Sequence, residues 1–206
     1  MDGVFMKKLI KIAVTFVLVL AVIEIYDVCK DKQFLQDNIV RLHVVANSDS
    51  KTDQDIKLVV KDAVAATVEQ IQTGLTNKEE VLVALRESLP VVESVANDVL
   101  ERLGVKDRAK VSLAKEEFDT RVYETFSLPA GVYDALRVEI GEGEGKNWWC
   151  VLFPSLCIPT SGKDFADTAT GAGFSQSVTD TISKPKQYQV RFFLLDCIGK
   201  LENLFR

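Results

Sequence analysis

Residues 135–157, "ALRVEIGEGEGKNWWCVLFPSLC", decide how the chain reads. Leu136, Val138 and Ile140 fall on one side of an extended segment and Arg137 and Glu139 on the other, the period-two pattern of a half-buried strand. Gly141, Gly143 and Gly145 break that pattern, and the apolar run Asn147 to Phe153 supplies a second strand. A phosphate-binding loop would place such glycines before a helix, whereas a β-rich run follows here and Glu142 and Glu144 would repel an anion. The expectation is a hairpin loop. Both tryptophans of the chain and two of its four cysteines follow it closely.

Upstream, Ile39 to Val45 reads as another strand, with Val40, Leu42 and Val44 on one face and Ile39, Arg41, His43 and Val45 on the other. The polar cluster "ANSDSKTDQD" ends it, and Thr52 with Asp55 forms a helix N-cap signature. Ile56, Val60, Ala63 or Val64, Thr67 and Ile71 then recur at helical spacing towards Gly74. Asn77 and Glu80 open a second helical stretch, which Pro90 should kink or divide before it stops at Gly104. "KVSLAKEEF" and "TRVYETFSL" read as strands. Residues 161–186 read as a long loop, and the end of the chain as a strand over Gln189 to Phe193 continuing into a helix. The fold class is α+β: one domain, 30–206, with a mostly antiparallel sheet packed by two or three helices on one side.

Residues 1–29 differ in kind. Lys7, Lys8 and Lys11 precede the uncharged run Ile12 to Ile23, the pattern of a secretory signal peptide. No small-x-small pair follows the run, so a cleaved signal and a retained signal-anchor both stand. As a helix, Leu9 to Tyr26 spans about 27 Å, close to a bilayer core if Lys11 and Glu24 snorkel.

A chain of 206 residues can bury roughly 70% of its unfolded surface, and a net charge of −5 supplies no electrostatic reason to hold nucleic acid. Candidate chemistry is sparse. His43 is the sole histidine, too little for a convergent metal site. Asn47, Asp49, Asp53 and Asp55 lack the glycine and terminal glutamate of an EF-hand and read as helix-capping acids. No catalytic, cofactor or metal residue is assigned. The enzymatic alternative is a cell-envelope cysteine hydrolase using Cys150 as nucleophile and His43 as base. Against it stand a disulfide and buried unpaired thiols, since exported cysteines tend to pair. Of the three complete pairings, proximity favours Cys150 with Cys157, whose closure would contribute about 2.5 kcal/mol in the chain-entropy treatment.

"RLHVVANSDSKTDQDIKLVVKDAV", "LPAGVYDALRVEIGEGEGKNWWCVLFPSLC" and the closing "VRFFLLD" resemble stage II sporulation protein R of endospore-forming bacteria. The similarity is strongest over Ile39 to Cys157. Asp119 and Ser155 stand where that family's pattern often has proline. The resemblance implies a non-enzymatic signalling protein without cofactor, secreted from the forespore into the space between two membranes or anchored there. Its implied partner is a membrane-embedded aspartic protease that cleaves the precursor of sigma-E. Asn47, Asp49, Trp148 and Trp149 are the expected partner contacts, because a tryptophan-bearing loop suits an interface anchor.

Overall fold

The computed structural model describes residues 3–123, 126–154, 168–171, 173–183 and 190–205. A long helix α1 (Gly3–Asn38) leads into strand β1 (Val40–Val45), followed by helices α2 (Lys51–Ile71) and α3 (Lys78–Arg102). Strands β2 (Ala109–Phe118), β3 (Arg121–Val122), β4 (Ser127–Leu128), β5 (Gly131–Ile140) and β6 (Asn147–Phe153) come next, then helices α4 (Gln176–Ile182) and α5 (Val190–Leu204).

Four strands form one sheet in the order β2-β5-β1-β6, and β3 pairs with β4 in a separate ribbon. β1 runs parallel to β5, while the β2–β5 and β1–β6 pairs are antiparallel. The α+β class and the mostly antiparallel sheet therefore hold. The strand alternation sorts residues as the sequence requires. Val40, Leu42, Val44, Leu136, Val138, Ile140, Cys150 and Leu152 pack beneath α2 and α3 through Val60, Val64, Val68, Val81, Leu85, Val92 and Ala96. The sheet is covered on both faces, not one. Leu35 of α1, Ile39, Phe118, Phe126, Leu128, Tyr133, Val151, Phe174, Val178 and Ile182 form a second core on the opposite side.

Several local expectations change. The N-cap of α2 is Ser50, whose hydroxyl accepts the Asp53 N–H at 3.1 Å, because helical geometry begins at Lys51, one residue before Thr52. Asn77 caps α3 as expected, accepting the Glu80 N–H at 3.0 Å. Pro90 sits inside one helix whose flanks bury Leu85 and Val92 in the same core, so packing on both sides outweighs the lost backbone bond. The stretch "CKDKQFLQDN", residues 29–38, which its composition marks as a short polar connection, instead continues α1. "TRVYETFSL" yields only the β3–β4 ribbon. The described part of 161–186 contains α4, capped by Ser175, and Val190 to Phe193 is helical.

Candidate functional site

The glycine loop 141–146 is not a hairpin between neighbours, because β1 lies between β5 and β6. It crosses the end of β1 and is tied to the β1–α2 turn. Asn47 Oδ1 accepts the Glu142 N–H at 3.0 Å, its carbonyl accepts the Glu144 N–H at 3.2 Å, and the Ala46 carbonyl accepts the Gly145 N–H at 2.9 Å. Asp49 Oδ1 accepts the Lys146 N–H at 2.7 Å, and Lys57, buried on α2, donates to the Lys146 carbonyl at 2.9 Å. Glycine is required where the two segments touch. A Cβ on Gly141, at φ +59°, would stand 2.3 Å from Asn47 Oδ1, and one on Gly145 would stand 2.3 Å from the Ser48 carbonyl oxygen. Below them, Asp53 accepts from Ser48 Oγ at 2.5 Å and from Asn47 Nδ2 at 3.2 Å. The Ser48 hydroxyl, more than any other neighbour, holds the Asp53 carboxyl below its ordinary value. Burial lowers the Lys57 ammonium, with the Asp49 charge opposing. Asn47 and Asp49 thus spend their side chains on a crossover that no periodicity announces.

The tryptophans part as adjacent strand residues must. Trp148 is 37% exposed with Lys61 Nζ 5.1 Å from its ring centre. Trp149 turns to the other face, stacks on His43 at 5.7 Å between centroids, and carries the Arg121 guanidinium 3.4 Å above its ring. His43 is held between Glu116 Oε2 and Asn147 Oδ1, each 2.8 Å from a ring nitrogen. Arg137 reaches the same Glu116 at 3.6 Å. Beside them lies Arg41, wholly buried, its guanidinium 3.8 Å from the Phe118 ring centre and donating to Tyr123 Oη at 3.0 Å. Its Nε and Nη1 find no acceptor among the described residues. Sequence reading passed over Arg41, Glu116 and Arg121; a fixed cation two residues before His43 on the same face of an apolar strand was the available signal.

The Cys150–His43 dyad does not form. Cys150 pairs with Leu42 and His43 with Trp149 across β1–β6, so thiol and imidazole project from opposite sheet faces. Cys150 is buried under α2 and α3. Its expected partner Cys157 lies outside the described residues. No group of histidine, cysteine and carboxylate side chains able to hold a metal occurs among the described residues.

The family model for stage II sporulation protein R matches residues 36–163, from the end of α1 past β6. A stage II sporulation protein R of Bacillus subtilis (strain 168) is 33% identical over 168 residues, covering 82% of this chain and 70% of the relative. No solved structure matches. The family name suggests a regulatory or signalling role in sporulation, and α1 has the character of a signal or membrane anchor. The chain belongs to the stage II sporulation protein R family.

Proposed function

We propose that the protein is an exported intercompartmental signal that activates a membrane-embedded aspartic protease and so triggers cleavage of the sigma-E precursor during endospore formation. Family membership, matched over residues 36–163 by the family model and over 82% of the chain by the relative, carries this reading. On it, the domain leaves the forespore behind its apolar N-terminal helix and acts in the intermembrane space by surface complementarity. Trp148 is the foremost contact, because it is the exposed member of the tryptophan pair and sits beside a cation on the same surface. Asn47 and Asp49 contribute by fixing the loop that precedes it. A disulfide between Cys150 and Cys157 would pin the end of β6 in the oxidising space.

The cysteine-hydrolase alternative draws no support from the geometry, since its nucleophile and base face apart. The proposal is tested in sporulating cells that lack the endogenous activator. Full-length protein should restore conversion of the sigma-E precursor, and so should the Cys150→Ser/Cys157→Ser double variant if it reaches the intermembrane space folded. Failure of the full-length protein to restore conversion despite export counts against activation.

A further inference from the structure

α1 enters the domain without a joint. From residue 4 to Asn38 the sequence has neither glycine nor proline, and the segment lies within one helix, Gly3–Asn38, of 36 residues. Its two ends live in different surroundings. Tyr26 is 69% exposed, and the apolar stretch before it, long and apolar enough to cross a membrane, is not buried at all. Two residues later Val28 is completely buried, as is Leu35. The domain grips this second part by directed contacts: Lys32 pairs with Glu202 of α5, Gln36 Nε2 donates to the same carboxylate at 2.9 Å, and Lys78 of α3 donates to the Gln36 carbonyl. Phe34 meets Phe174 edge-on at 5.2 Å between centroids.

We infer that α1 is a retained strut whose partner is a lipid bilayer, with residues 9–26 in the membrane and residues 28–38 in the domain as one rigid helix. The chemistry of each part selects its surroundings. Leu9 to Tyr26 measures about 27 Å, Tyr26 suits the interface, and Lys7, Lys8 and Lys11 suit the cytoplasmic side, which puts the domain outside. A span that ended in a flexible linker would leave the domain free to tumble. Here a hinge would have to break backbone hydrogen bonds inside a continuous helix, so the membrane sets both the height and the tilt of the domain.

The test uses the full chain in vesicles of phosphatidylcholine and phosphatidylglycerol, with Cys29→Ser and Cys197→Ser and a dye on Val122→Cys, an exposed position of β3. Time-resolved anisotropy should show high residual anisotropy. Inserting four glycines after Tyr26 places a flexible coil at the membrane surface and should lower that residual to about half or less. Circular dichroism and thermal unfolding verify that the inserted form keeps its fold. Equal residual anisotropy in the two proteins, whether high or low, overturns the strut, as does an intact mass of exported protein lacking the residues before Asp27. None of these readouts involves protease activation, so the result stands apart from the proposed function.

Discussion

Asn47 and Gly141 are in close contact: a Cβ on Gly141 would lie 2.3 Å from Asn47 Oδ1, the oxygen that accepts the Glu142 N–H at 3.0 Å. Gly141→Ala adds a strained positive φ to that collision and should cost roughly 1–3 kcal/mol. Asn47→Ala removes the clash but strands the Glu142 N–H, with an expected cost of about 1–2 kcal/mol. In urea unfolding, the double variant should be less destabilised than the sum of the singles. Full additivity would show that the two residues do not share this contact.

Asp53 gives the acid limb of stability a defined contributor. Its carboxyl is held below the ordinary 3.8 chiefly by the Ser48 hydroxyl. A depressed folded-state value means that its stabilisation is fully present above the unfolded-state value and is lost as pH falls through the folded one. The carbon-detected NMR titration of Asp53 should have its midpoint below 3.8, and Ser48→Ala should move it upward. An unchanged midpoint in Ser48→Ala would place the cause elsewhere.

Arg41 is a buried cation whose hydrogen-bond partner is a phenol, with no acceptor for Nε or Nη1 among the described residues. Desolvation of such a group costs several kcal/mol, which ring contacts with Phe118 and Tyr133 offset only in part. Arg41→Met should therefore be neutral or stabilising in thermal unfolding. Tyr123→Phe, which leaves the guanidinium with one partner fewer, should destabilise by about 1–3 kcal/mol. A strongly destabilised Arg41→Met would show that the cation contributes net stability.

Much of the architecture was legible because it follows short periodicities. Leu136, Val138 and Ile140 alternate, Asn77 and Glu80 spell a cap, and both features appear where expected. The second core was hidden for a physical reason. Leu35 and Phe34 sit in a polar-looking segment, and their partners Phe118, Phe174 and Val178 come from distant parts of the chain. The glycine loop reads locally as a hairpin, and only the insertion of β1 between β5 and β6 makes it a crossover. The site divided likewise. Trp148 and Trp149 had to point apart on any strand, but the commitment of Asn47 and Asp49 to backbone N–H groups of residues 142 and 146 is long-range geometry.

Cys150 and Cys157 should be joined in exported protein. Non-reduced peptide mapping by mass spectrometry should recover them as one linked species, while Cys29 and Cys197, both free, should alkylate without reductant. Alkylation of Cys150 and Cys157 in the exported, unreduced protein would remove the pairing.

Reconstitution puts activation by surface complementarity to a direct test. Full-length protein is added to vesicles containing the membrane-embedded aspartic protease and the sigma-E precursor, and cleavage is followed with time. Cleavage should depend on the added protein, persist in a folded Cys150→Ser/Cys157→Ser form, and weaken with Trp148→Ala by about 2 kcal/mol or more in apparent affinity. No cleavage on addition of folded, membrane-inserted protein to a protease shown to be competent would contradict it.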